Sequence, residues 1–255
     1  LPILVQHFPG PLWFDRRRPH PRLPMGRDVS AVARALSAFG EMAWPYIAEL
    51  LCESDPDVRF YATLLASDRA QPPLIGVLAD RLFDSDPQIR LVVKDVLPQY
   101  RSMPGFSEVL QMLRERSQNH GVSIQDRLAA LDALAALRDE GSVPLLIRLN
   151  EDSDKQISLP AHRALSAITG QDFGASTRKW QSWHEANLRR HRVEWLIESL
   201  MHVDQPVRAS AGIELQKLTQ VYYGYVAAAP KRERERTQKR YQDWWEHEGR
   251  KRFAL

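Results

Sequence analysis

One local pattern recurs along this chain: an acidic turn, a β-branched residue, Arg, and then an apolar helical run. It stands as Asp55-Pro56-Asp57-Val58-Arg59 before residues 60–66, and as Asp86-Pro87-Gln88-Ile89-Arg90 before 91–100. A third copy is Val122-Ser123-Ile124-Gln125-Asp126-Arg127 before 128–137, and a fourth is Asp154-Lys155-Gln156-Ile157-Ser158 before 159–168. The fifth is Asp204-Gln205-Pro206-Val207-Arg208 before 209–218. Equivalent positions are 31, 37, 31 and 50 residues apart, a repeat with one insertion before its last copy. A period of this size points to a stack of identical supersecondary units.

The composition of the turn has a physical cause. Asp at an N-cap accepts a hydrogen bond from an otherwise unpaired N–H of the first helical turn. Pro56, Pro87 and Pro206 fit at a helix start, where no intrahelical N–H is required. A second helix is expected before each turn, over 44–52, 74–83, 106–116, 143–149 and 193–201, because apolar residues recur there at spacings of three and four. Leu74, Val77, Leu78 and Leu82 form one such stripe. Short connections make each pair antiparallel.

Residues 74–90, from Leu74 through Asp84-Ser85-Asp86-Pro87 to Arg90, resemble the first-helix, turn and second-helix signature of the HEAT-repeat family. The likeness covers roughly 28–220, five pairs after a leading half-repeat at 28–39. It implies an all-α fold, a right-handed α-solenoid of about five antiparallel helix pairs. It also implies structural ladder roles for Asp55, Arg59, Asp86, Arg90, Asp204 and Arg208. The third copy lacks the Asp-Pro and the fourth has Ser158 in place of Arg, so a ladder is weakened there.

Two tails interrupt the repeat. Thr169, Phe173-Gly174 and Trp180/Trp183 are echoed by Thr219, Tyr223-Gly224 and Tyr241/Trp244/Trp245. Each predicts an extra helix whose aromatics cover the preceding pair, in preference to a platform for stacking bases or sugars. The expected organisation is an arm or linker rich in Pro and Arg at 1–27, a solenoid at 28–220 with an extra helix in 172–190, and a basic, Trp-containing capping helix in 221–255. Six prolines within 1–24 exclude a regular helix across the arm. Arg16-Arg17-Arg18 could touch an acidic surface or nucleic acid, but a linker partly packed on the solenoid is the favoured reading.

Charge is polarised along the chain. Residues 1–27 are net +4, 28–175 net −7 and 176–255 net +6, within a total of +3. Candidate binding residues are therefore basic and C-terminal: Arg178, Lys179, Arg189, Arg190, Lys231, Arg232, Arg234, Arg236, Lys239 and Arg240, with Arg192 among them for nucleic acid. The acidic middle would repel a long duplex, which ranks nucleic acid below a protein partner or another domain of the same parent chain.

The sequence shows no nucleophile elbow, phosphate-binding glycine loop or dinucleotide fingerprint. No metal and no cofactor is expected: His184, His191 and Glu194 are too loosely spaced, and Asn150–Asp154 falls where every repeat has its acidic turn. Asp243 beside Trp244 is a faint echo of HEAT-like DNA glycosylases or bilin lyases, without a motif to carry it. Cys52, alone in the chain, reads as a buried inert thiol and, with no disulfide to form, as compatible with the cytoplasm. Opening on Leu1, the chain reads as a piece of a longer protein. The expectation is a non-catalytic protein-interaction scaffold with no membrane span.

Overall fold

Four of the acidic or Ser-bearing turns place a side-chain cap at a helix start in the computed structural model, which describes residues 1–253. Asp55, Asp86 and Asp154 accept from the backbone N–H of Asp57, Gln88 and Gln156, each at 2.8 Å, and Ser123 accepts from Asp126 N at 3.1 Å. Such a cap contributes about 1 kcal/mol. Asp204 departs from the rule: its side chain caps nothing, and His202 Nδ1 instead accepts from Asp204 N at 3.1 Å. Among the described residues the fold is all-helical without strands, apart from an isolated bridge between Leu12 and Ser30. Also among them, no helix is long and apolar enough to cross a membrane.

The chain divides into two packed units, Leu1–Leu137 and Arg138–Leu255. The first holds α1 (Pro2–Gln6), α2 (Ala31–Ala38), α3 (Trp44–Leu51), α4 (Pro56–Ser67), α5 (Ile75–Asp80), α6 (Pro87–Val96), α7 (Phe106–Gln118) and α8 (Ile124–Leu137). α3 packs on α4 and α7 on α8. Helices that follow a turn also neighbour one another, α4 against α6 and α6 against α8, as do α3 with α5 and α5 with α7. Leu51, Leu64, Leu78, Ile89, Leu97 and Leu113 are fully buried between these layers, each contributing about 1.5–3 kcal/mol.

The second unit holds α9 (Val143–Leu149), α10 (Lys155–Thr169), α11 (Thr177–Asn187), α12 (Arg192–Ser199), α13 (Gln205–Thr219), α14 (Lys231–Trp244) and α15 (Arg250–Phe253), with a π-helical turn at Trp245–Gly249. α9 packs on α10 and α12 on α13. Outside these pairs, α11 packs on α9 and α14 on α12. Trp180, Tyr241, Trp244 and Trp245 are buried, so their faces are not open to a base or sugar.

The repeat Arg acts as a clamp within its own pair. Arg59 Nη1 donates to Glu53 O and Ser54 O at 2.8 and 2.7 Å, and Arg208 Nη1 to His202 O and Val203 O at 2.7 Å each. Arg90 Nη1 reaches Asp84 O at 2.6 Å and Ser85 O at 3.3 Å. These carbonyls lie in the turn just beyond the end of the preceding helix, where no helix supplies them a donor, and a cation there also sits near the negative end of that helix's dipole. The rung from one pair to the next runs from Arg59 to Asp84, by Nε–Oδ2 at 2.7 Å and Nη2–Oδ1 at 2.9 Å. It thus uses the carboxylate two residues before the capping Asp86. Ser158, in the Arg position of the fourth copy, is buried with no partner for its hydroxyl.

Three details differ from expectation. Residues 2–6 do form a helix: Pro2 stands in its first turn, where proline is tolerated, and the other arm prolines lie beyond it. Cys52 is exposed rather than buried, because α3 ends at Leu51 and Cys52 is the C-cap beyond the last buried residue. The arm also ends in a tight contact: a Cβ on Gly26 would stand 2.2 Å from Leu65 Cα, so only glycine lets the arm lie against α4. There the N–H groups of Gly26 and Arg27 donate to the Asp68 carboxylate at 2.6 and 2.7 Å.

Candidate interaction surfaces

The arm occupies the face of α4 and α6. Phe14 is buried, and its carbonyl accepts from the Tyr61 hydroxyl at 2.9 Å. Arg16 then lies over the Phe60 ring, 5.0 Å from its centroid, and pairs with Asp57 at 2.6 Å and Asp86 at 2.7 Å. Arg17 adds a second bond to Asp57 at 2.8 Å. The arginine run meets an acidic surface, and that surface belongs to its own chain. Burial works against the Arg16 charge, but Asp86 and Asp57 outweigh it and raise the guanidinium pKa. Burial likewise pushes the Asp86 carboxyl up, and the bonds from Arg16 and Gln88 N–H overcome it and hold it below the usual carboxylate range.

Beside the arm a cleft of about 650 Å³ stays open over Leu64, Leu91, Val92 and Val96, with Arg18, Arg22 and Asp95 on its rim. Leu91 is 58 % exposed. It immediately follows a repeat Arg, as Phe60 does; Leu128, Leu159 and Ala209 hold the corresponding places in the other copies. Leu159 is also 58 % exposed. Phe60, the copy under the arm, is 2 % exposed.

Arg16→Ala is expected to release this arm. It removes two ion pairs and leaves Asp86 partly buried with its backbone donors only. The predicted cost is about 1–3 kcal/mol, read by chemical denaturation, together with faster tryptic cleavage after Arg17 and Arg22. Unchanged cleavage would show that Phe14 and Gly26 hold the arm unaided.

The basic candidates of the second unit do not form one track. Arg178 and Lys179 are exposed on the first turn of α11. Lys231, Arg232, Arg236 and Lys239 are exposed on α14, with Lys231 3.7 Å from Glu235. Arg234 is half-buried and donates to Ala229 O at 3.1 Å, and Arg240 lies over the Tyr223 ring at 4.6 Å. Arg192, grouped with them by sequence, is 4 % exposed. It donates to Ile168 O at 2.8 Å and lies 2.9 Å from Glu214, which Arg138 also reaches at 2.6 Å. Burial lowers its pKa against the pull of Glu214. Arg192 therefore offers nothing to a phosphate.

Arg189 and Arg190 do converge, in a cleft of about 470 Å³ that also takes in His191, Glu194, Trp245, Arg250 and Phe253. Arg250 was not singled out by the sequence; the run Arg250-Lys251-Arg252 near the chain's end was the signal available. His191 and Glu194 form a capping box on α12, His191 Nδ1 accepting from Val193 N at 3.2 Å and Glu194 accepting from His191 N at 3.3 Å. Among the described residues no group of three or more His, Cys, Asp or Glu is placed to hold a metal ion. Asp243 is exposed and lines neither cleft.

No protein-family model matches this chain, and no curated protein matches it significantly.

Proposed function

We propose that the chain is a non-catalytic interaction scaffold, a HEAT-like right-handed α-solenoid that binds extended segments of a partner protein, or of another domain of its parent chain, across its turn-following helices. The observation carrying this reading is the arm itself. A non-helical segment, Phe14 to Arg16, leading into a turn that Arg18 N–H closes on Asp15 O at 3.1 Å, already lies on that face, its backbone bonded to Tyr61 and its arginine seated between Asp57 and Asp86. The same sequence position is apolar and exposed at Leu91 and Leu159. Exposed apolar positions beside carboxylates suit a segment carrying apolar and basic side chains. An exposed lone cysteine fits a reducing compartment such as the cytoplasm.

The test pairs two binding assays on the full chain. Selection of short random peptides against the immobilised protein is expected to enrich sequences that join an apolar or aromatic residue to arginine. Leu91→Asp or Leu159→Asp should abolish the enrichment while leaving helical content intact. Fluorescence anisotropy with duplex DNA and single-stranded RNA at physiological salt is expected to show no tight binding. Peptide selection without enrichment, or nucleic-acid binding that survives physiological salt, sinks the reading.

A further inference from the structure

The cleft at the start of α12 is rich in hydrogen-bond donors and poor in acceptors. Its floor is fixed locally: Asn187 closes α11 by donating to Trp183 O at 2.7 Å, and Arg190 bonds back to Asn187 Oδ1 at 2.7 Å. Arg189 and Arg190 are thus presented from a constrained turn. His191 uses Nδ1 as an acceptor in the capping box, so its ring proton sits on Nε2. Burial holds the His191 pKa below its ordinary value, which keeps that neutral tautomer in place.

The wall is aromatic. His191 lies stacked on Trp245 with centroids 5.1 Å apart, and Phe253 stands 5.3 Å from His191 and 6.0 Å from Trp245. Trp245 is 5 % exposed, and its indole N–H has no acceptor. Trp183 and Trp195 share that state, but only Trp245 lines this cleft. Trp245 also opens the π-helical turn, a rare form frequent at functional sites. Gly249 permits the turn's packing, since a Cβ there would come within 2.5 Å of the Trp245 ring.

The charges leave a surplus. Glu194 is the cleft's carboxylate, already shared by His191 N–H and by Arg190 at 3.5 Å, while Arg190 also pairs with Glu198 at 2.7 Å. Arg250 reaches Glu194 only at 4.0 Å, and Arg189 pairs with no carboxylate among the described residues. Two guanidinium groups, an imidazole N–H and an indole N–H therefore lack an acceptor that the cleft could supply. A donor surplus of this kind is satisfied by an oxyanion, which accepts from several N–H groups at once and matches guanidinium geometry. The volume exceeds that of a bare ion, and the half-buried rings of His191 and Phe253 suit an apolar or aromatic body attached to it.

We propose that this cleft binds a phosphomonoester group carried on a small aromatic or apolar body, with Arg189 and Arg250 holding the phosphate and the half-buried rings of His191 and Phe253, backed by the buried Trp245, holding the body. The site is independent of the peptide-binding face, so either can fail alone.

The full chain, labelled with 15N, is titrated at constant ionic strength with phenyl phosphate, inorganic phosphate and benzoate. The Trp245 indole N–H signal is assigned by its loss in Trp245→Phe. Phenyl phosphate is expected to shift that signal saturably and to bind on the order of tenfold more tightly than inorganic phosphate, which lacks the ring contact. Arg189→Gln with Arg250→Gln, both at exposed positions, is expected to weaken phenyl phosphate by on the order of a hundredfold at an unchanged melting temperature. No saturable shift, or equal affinity in the double variant, overturns the site. Benzoate binding as tightly as phenyl phosphate overturns the phosphate assignment.

Discussion

Arg59→Ala is expected to cost about 3–5 kcal/mol, the range for breaking a buried ion pair by removing one partner. Arg59 makes four bonds, two to the Asp84 carboxylate and two to the carbonyls of Glu53 and Ser54. The side chain of Asp84 is 1 % exposed, so losing Arg59 strands a charge out of reach of water, with Arg81 at 3.2 Å as its remaining cation. Urea denaturation reads the loss. Arg59→Lys keeps the charge but not the planar fork and is expected to recover less than half of it. Arg59→Met with Asp84→Leu removes both charges and should lie well above the single Ala variant in stability. A double variant as unstable as Arg59→Ala would show that the turn carbonyls of Glu53 and Ser54, rather than Asp84, are what Arg59 serves.

The same pair sets a pH dependence. Burial pushes the Asp84 carboxyl up; the bonds from Arg59 and Asp86 N–H, with the charges of Arg59 and Arg81, outweigh it and hold it below the usual range. A carboxyl whose folded pKa is depressed gives stability that is fully present above its unfolded pKa, about 3.9. As pH falls below that, the unfolded chain takes up the proton first, and the contribution is lost as pH passes through the folded pKa. In Arg59→Ala much of that depression is lost, because only Asp86 N–H and Arg81 then oppose burial. Acid sensitivity is expected to move to higher pH, and a wild-type-like acid limb in that variant would refute the account.

How much of this was legible depended on distance along the chain. Asp55, Asp86 and Asp154 cap helices through atoms two residues away, and Arg59, Arg90 and Arg208 clamp carbonyls five and six residues behind them. Contacts that local leave a spacing in the sequence, and the helices fall where that spacing puts them. Arg16 is different: its partners are 41 and 70 residues away, and no spacing marks them. Arg192 looks like its neighbours Arg189 and Arg190, yet Glu214, on another helix, is its partner in the interior. Cys52 shares apolar neighbours with α3 but falls one residue past the helix end. The cleft was half visible. Arg189 and Arg190 stood out as charge, whereas Trp245, Arg250 and Phe253 join them only through the fold.

Trp180→Ala is the second large loss, expected at about 3–5 kcal/mol for truncating a fully buried Trp. Trp180 has no exposed surface and sits edge-on to Phe173, Trp183 and His162, with centroids 4.9, 6.4 and 6.2 Å away. Its indole N–H donates to Gly174 O at 2.9 Å, tying the loop before α11 to the helix. Truncation removes ring contacts on three sides and opens a cavity that a helix anchored on α9 cannot fill without moving. Trp180→Phe separates the two contributions, since it keeps most of the apolar volume and loses the hydrogen bond; it is expected to cost about half as much or less. Hydrogen exchange followed helix by helix locates the effect. Protection should fall first in α9, α10 and α11, because α11 packs on α9 and His162 of α10 faces the same ring. If Trp180→Ala left those amides as protected as before, α11 would be a surface addition, and the aromatic tail would not be part of the core that holds the second unit together.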